Sequence, residues 1–154
     1  MSIPDNKEVL IEDHLSFIDT VNGFRNHSLP KDKWTHQAHI TTAIWFIMNS
    51  DPYDALCKIK SGIISYNLSV GGENNGTNGY HETITVFWWK LLCLFVEKRS
   101  PLSYDQICNA FLESKYNRRD IAFDFYTKDL LMSGMARAMY IAPDVKQITI
   151  DEIV

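Results

Sequence analysis

The chain has 154 residues, of which 45% are hydrophobic and 22% charged, and its formal net charge is −4. These values predict one globular domain over residues 1–154 with a sizeable hydrophobic core. The acidic balance argues against a nucleic-acid-binding protein, which would carry a basic patch or stripe.

The sequence gives no sign of a membrane or secretory protein. Its N-terminus lacks a basic segment followed by an apolar one. The longest apolar run, Ile84 to Val96, contains Lys90 and is shorter than the ~20 residues that a membrane span needs. An odd number of widely separated cysteines argues against a disulfide framework; they are Cys57, Cys93 and Cys108. We therefore expect a cytoplasmic protein with reduced thiols.

Three helices are predicted in the first half of the chain. The first covers roughly Lys7 to Asn26, where apolar residues recur at helical spacing. The second begins near Thr35, a good N-cap, and runs to about Asn49. The third begins with Asp51 as N-cap and Pro52 as its first residue, and ends near residue 69.

A loop and a strongly apolar helix follow. The loop, Val70 to Gly79, contains four of the seven glycines. Because ordering glycine costs much backbone entropy, we expect this loop to be mobile unless a ligand orders it. The fourth helix runs from Gly79 or Tyr80 to about Lys98 and is apolar almost all round, which predicts a central position. The β-branched segment Thr83 to Val86 leaves a buried strand as an alternative.

The last part of the chain is also predicted to be helical. Ser103 and Gln106 form a capping-box pattern at the start of the fifth helix. The last helix covers about Lys128 to Ile141, before Pro143. The alternating tail Gln147 to Ile150 suggests either a short strand or a segment that drapes over the body. The whole pattern predicts an all-α, bundle-like array of five or six helices.

Two short segments contain three of the five histidines: residues 34–39, with His36 and His39, and residues 79–83, with His81 and Glu82. His36 and His39 share one helical face, which continues into apolar Ala43 and Phe46. The face of His81 continues into Ile84, Thr85 and Trp88. Imidazoles on apolar faces are expected to point inward, and a partly buried Glu82 needs a partner.

If the two helix starts meet in space, His36, His39, His81 and Glu82 form a ligand set for a divalent ion. Such a set suits Zn²⁺, or Fe²⁺, Mn²⁺ or Ni²⁺ where positions stay open for water and substrate. The leading hypothesis is therefore a metal-dependent, hydrolase-like enzyme acting on a small molecule by Lewis-acid or activated-water chemistry. In this hypothesis Glu82 is a fourth ligand or the general base, and His81 belongs to the catalytic group.

Two alternatives use the same residues without a metal. Helix N-termini lower histidine pKa values, so neutral imidazoles beside Glu82 would suit acid–base catalysis or an anion-binding pocket, with the glycine-rich loop as a lid. In the other alternative, the histidines only stabilise the core of a non-catalytic binding or interaction module.

Other polar residues are candidates for substrate binding. Tyr66 and Asn67 border the glycine-rich loop, and Tyr80 can offer its hydroxyl group. Among three arginines that could bind a carboxylate or phosphate, Arg137 stands alone in an apolar run and is the strongest candidate, ahead of Arg118 and Arg119. The sequence leaves the substrate, the reaction and a homo-oligomeric state open.

Overall fold

The computed structural model describes residues 17–153, which form an all-α fold, as the sequence predicts. Its helices are α1 (17–25), α2 (His36–Asn49), α3 (Pro52–Ser69), α4 (Glu82–Lys98), α5 (Tyr104–Leu112), α6 (Lys128–Leu131) and α7 (Gly134–Ala138). Short 3-10 turns occur at Lys31–Lys33, Ile121–Asp124 and Ile150–Glu152. The segment with the alternative strand prediction lies within α4, and there is no strand within the described residues.

Local capping explains where the helices begin. The Thr35 hydroxyl accepts a hydrogen bond from the Ala38 amide at 3.2 Å and starts α2. Asp51 caps α3, with Pro52 at the first turn. Ser103 forms a complete capping box with residue 106 at α5. These N-terminal boundaries were predicted correctly because each depends on neighbouring residues alone.

Helix α4 is central, as its apolar sequence predicts. It packs against α2, α3 and α7. Leu91, Leu92 and Phe95 are completely buried in the main hydrophobic cluster. A second cluster around Phe24 and Tyr66 joins α1 to α3. Because α2, α3 and α4 contact one another, their facing sides enclose the space in which the candidate site lies.

The prediction of one last helix over Lys128 to Ile141 is wrong. The chain leaves the helix after α6, and the Ser133 hydroxyl accepts a hydrogen bond from the Ala136 amide at 3.1 Å to start α7. A serine that bonds to the nearby backbone favours a new cap over a continuous helix.

Three further predictions concern the first helix, the C-terminal tail and membrane-spanning segments. The first helix is confirmed over 17–25 and ends just before Asn26, and the part of its expected range before residue 17 lies outside the described residues. The tail Gln147 to Ile150 forms no strand and leads into a 3-10 turn. Across residues 17–153, no helix is both long enough and apolar enough to span a membrane.

Candidate functional site

A pocket of about 380 Å³ lies between α2, α3 and α4. We call it the tryptophan pocket because Trp34, Trp88 and Trp89 contribute to its walls. The remaining apolar wall consists of two phenylalanines and aliphatic side chains, namely Phe24, Phe46, Ile40, Ala43, Ile59, Ile63, Ile84 and Leu92. The polar lining consists of Thr35, His36, His39, Thr42, Thr85 and Arg119. This size and mixture are typical of a site for a small organic molecule.

The helical faces predicted from the two histidine segments meet in this pocket. Ala43 and Phe46 line it from α2, and Ile84, Thr85 and Trp88 line it from α4. Helical spacing thus identified apolar residues of α2 and α4 that face the pocket, whereas the three histidines of these segments have different surroundings.

His39 lines the pocket with a fixed ring orientation. Its Nδ1 donates a hydrogen bond to the carbonyl oxygen of Thr35 at 2.7 Å, so the lone pair of the neutral ring is on Nε2. The ring centre is 3.9 Å from that of Trp34. No second hydrogen bond of this ring occurs among residues 17–153, which leaves Nε2 as an acceptor.

The pKa of His39 is lowered to about 4, mainly because surrounding protein atoms desolvate the charged form. The hydrogen bond to Thr35 opposes this shift, while His36 and Arg119 add to it. The side chain nevertheless remains accessible through the open pocket. The lowered pKa keeps His39 neutral near pH 7.

His36 also lines the pocket and connects three parts of the fold. Its Nε2 lies 3.1 Å from Oδ1 of Asn117, whose Nδ2 donates to the Leu112 carbonyl oxygen at 3.0 Å. Because the bond to Leu112 uses the Asn117 NH2 group, the Asn117 side-chain oxygen faces the imidazole ring. Nε2 of His36 is therefore the donor in the bond to Asn117. The ring meets Trp88 edge-on, with centres 5.5 Å apart. Burial lowers the pKa of His36, so it too favours the neutral form.

Arg119 brings a positive charge to the pocket rim. Its neighbour Arg118 is occupied by ion pairs with Asp120 and Asp124. No such pair with Arg119 occurs among residues 17–153. Its exposed guanidinium group therefore remains able to bind an anion.

Thr42 contributes a buried hydroxyl group to the pocket lining. Only 2% of the residue is exposed, and its Oγ1 has no hydrogen-bond partner in the described part of the chain. An unpaired buried hydroxyl is destabilising by roughly 1–3 kcal/mol in proteins. The hydroxyl of this pocket-lining residue is therefore a buried polar group without a partner in the described fold.

His81 lies outside the pocket lining and acts as the N-cap of α4. Its Nδ1 accepts a hydrogen bond from the Ile84 amide at 3.1 Å, and its Nε2 donates to the Leu131 carbonyl oxygen at 2.9 Å. Burial lowers its pKa, which matches a neutral ring that needs one donor and one acceptor nitrogen. The Nδ1 bond caps α4, and the Nε2 bond joins the start of α4 to the end of α6.

Glu82 has the partner that its partial burial requires, and within the described residues that partner is a lysine rather than an imidazole. Its carboxylate binds the ammonium group of Lys60 and accepts a hydrogen bond from the Tyr80 hydroxyl at 2.5 Å. Desolvation, followed by the interaction with Glu82, raises the pKa of Tyr80. This cluster connects the start of α4 to the middle of α3.

The four expected metal ligands are thus not assembled into one centre. Within residues 17–153, no group of three or more His, Cys, Asp and Glu side chains is placed to hold a metal ion. His36 and His39 line the pocket, whereas His81 and Glu82 have the partners described above. The metal centre stays a prediction.

The other expected substrate-binding residues have structural partners. The buried Tyr66 donates its hydroxyl hydrogen to the Leu29 carbonyl oxygen at 2.8 Å. Asn67 donates to Oδ1 of Asn74 at 3.0 Å within the glycine-rich loop. Arg137 donates to the Gly79 carbonyl oxygen at 2.9 Å and thereby holds the end of that loop. None of these residues is part of the pocket lining.

The glycine-rich loop is held by its own hydrogen bonds. Oδ1 of Asn75 accepts from the amides of Thr77 and Asn78 at 3.0 and 2.9 Å. Gly79 has φ +82°, and a Cβ atom there would lie 2.1 Å from the Glu73 carbonyl oxygen. The loop therefore has internal hydrogen bonds in the structure, and its expected mobility stays a prediction.

Asn117 and Thr42 are not among the site residues that the sequence predicts. As an anion-binding residue, Arg119 was expected to be a weaker candidate than Arg137. Asn117 and Arg119 lie in the segment after α5, and the contact between His36 and Asn117 joins residues 81 positions apart. No local pattern indicates such a contact. No protein-family model, curated protein or solved structure matches this chain.

Proposed function

We propose that this protein binds a small, largely apolar organic molecule in the tryptophan pocket, with the neutral imidazole of His39 as a hydrogen-bond or proton acceptor. The observation that carries the proposal is the free Nε2 of His39 at a pocket of about 380 Å³ with mainly apolar walls. Such a pocket with a few convergent polar groups is the usual form of a small-molecule site.

The arrangement of His39 supports this role because the ring is already oriented. Contact with Trp34 and the bond to Thr35 both restrict its rotation. A group that is held in place before binding loses less entropy when the ligand arrives. A neutral imidazole with a free nitrogen is also the form in which histidine acts as a general base, which keeps a metal-free acid–base enzyme within the proposal.

Ligand-observed NMR with a library of small apolar fragments tests the proposal. Ala43→Leu adds carbon atoms to the pocket wall, whereas Ala138→Leu adds the same atoms at an exposed position of α7. We expect fragments to bind the unchanged protein and the Ala138→Leu variant, and to bind Ala43→Leu far more weakly. Circular dichroism checks that both variants are folded. The proposal fails if no fragment binds, or if every bound fragment binds folded Ala43→Leu equally well.

The metal-dependent, hydrolase-like enzyme is the second proposal, and the pair His36 and His39 supports it. Both imidazoles line one pocket, and each neutral ring keeps a nitrogen with no hydrogen bond among residues 17–153. A divalent ion there would need further ligands from water or substrate. Elemental analysis of protein purified without an affinity tag should then show near-stoichiometric Zn, Fe, Mn or Ni that is lost in His39→Gln. Absence of such a metal would refute this second proposal.

For location, we propose the cytoplasm. Cys57, Cys93 and Cys108 are all free thiols, which is typical of a reducing compartment.

A further inference from the structure

The polar end of the tryptophan pocket has a positive electrostatic character. Arg119 supplies a full charge at the rim. His36 and His39 belong to the first turn of α2, where the backbone amides carry partial positive charge. The described lining residues include no Asp or Glu that would compensate this charge. A negatively charged group is therefore favoured at this end.

The contrast between two adjacent arginines indicates where such a group would bind. Arg118 binds Asp124 through both terminal nitrogens at 2.9 and 3.1 Å, and this contact fixes its position. Arg119 has no ion pair among residues 17–153, yet it lines the pocket. A guanidinium group binds a carboxylate through two parallel hydrogen bonds, which gives direction as well as affinity.

The apolar walls restrict the shape of the rest of the ligand. Trp88 and Trp89 are partly exposed where they line the pocket, although Trp89 also donates to the Pro52 carbonyl oxygen at 2.9 Å. Indole rings pack well with flat aromatic groups in offset or edge-on geometry. A volume of about 380 Å³ is near the lower end for ligand sites and suits one or two rings.

We infer that the ligand is a flat aromatic carboxylate, with its carboxylate on Arg119 and its rings between the tryptophans. This inference rests on the proposed function and specifies its ligand class. A ring N–H or hydroxyl group of the same molecule donates to Nε2 of His39. Arg119 and Nε2 of His39, two polar groups of the pocket lining, then each have a complementary group on the ligand.

Three related probes separate the contribution of charge from that of shape. Indole-3-acetate carries the anion, indole-3-acetamide is its neutral analogue, and tryptamine carries a cation. Dissociation constants from ¹⁵N-resolved NMR titrations are compared for the unchanged protein, Arg119→Gln and Lys115→Gln. The Lys115 variant loses the same formal charge from a side chain that lies over Tyr116.

We expect indole-3-acetate to bind at least about tenfold more tightly than indole-3-acetamide, because one charge-assisted hydrogen bond contributes about that much binding free energy. Tryptamine should bind most weakly. In Arg119→Gln the ratio between acetate and acetamide should fall to about one with acetamide affinity unchanged, and Lys115→Gln should keep the ratio.

The possible failures are distinguishable. If the three probes bind equally, or the acetate preference persists in Arg119→Gln, the ligand class is wrong while the pocket remains a binding site. If no probe binds but neutral fragments do, the inference is again overturned and the proposed function stands. If neither probes nor fragments bind, both proposals fall.

Discussion

Replacing Thr42 by Val should stabilise the ligand-free protein. The Thr42 hydroxyl is buried and has no partner within the described residues, and Val has nearly the same shape and branching. Removing an unpaired buried hydroxyl should recover about 1 kcal/mol, the lower end of its desolvation cost. For a chain of this size, that gain corresponds to a rise in melting temperature of roughly 2–4 °C.

The adjacent residue provides a matched control. Thr41 is equally buried on the same helix, but its hydroxyl donates to the Gln37 carbonyl oxygen at 2.9 Å. Thr41→Val should therefore lower the free energy of unfolding by about 0.5–1.5 kcal/mol. Urea denaturation followed by circular dichroism measures both variants. If Thr42→Val is destabilising, or if both substitutions shift stability in the same direction, the reasoning about the unpaired hydroxyl is refuted.

Two further predictions concern stability. Gly79→Ala should destabilise the protein by more than about 2 kcal/mol, because Gly79 has a positive φ and its added Cβ would meet the Glu73 carbonyl oxygen. Gly76→Ala is the control and should be nearly neutral in the same urea assay, because its added Cβ meets nothing within 4 Å in the described structure. Equal effects of the two substitutions would contradict this prediction. Since burial lowers the histidine pKa values below 6.5, the unfolded chain binds more protons, and stability should fall as pH decreases from about 6.5 toward 4. Unfolding free energies measured across this pH range check the trend. The decrease should be smaller in His39→Gln. A stability that does not change with pH would contradict the prediction.

The helix starts and the inward faces of α2 and α4 could be predicted because both depend on local information. Capping by Thr35 and Asp51 involves residues two or three positions away. The faces through Ala43 and Trp88 follow from the helical period alone. Both predictions hold because tertiary packing followed the apolar faces that the helices presented.

The direction of His81 could not be obtained in the same way. This residue is the N-cap, with φ −130° and ψ 110°, so its side chain does not follow the face of the helix that it precedes. Whether a carboxylate such as Glu82 meets an imidazole or Lys60 depends on how α3 crosses α4, and the sequence holds no local signal for that crossing.

Residues after α5 show the same limit. Arg118 and Arg119 are adjacent, and only the folded chain decides that one binds aspartates while the other lines the pocket. Sequence reasoning favoured Arg137 because of its apolar neighbours, but that side chain holds the backbone of Gly79.

The walls of the tryptophan pocket come from positions as distant as Phe24 and Arg119, so the site exists only when most of the chain is folded. A ligand that binds only this state, present at about one hundred times its dissociation constant, would add roughly 2.7 kcal/mol to the stability. The unfolded fraction exposed to cellular proteases would then fall about a hundredfold. Where proteolysis of the unfolded state limits the lifetime of the protein, its abundance would then rise with the supply of such a ligand.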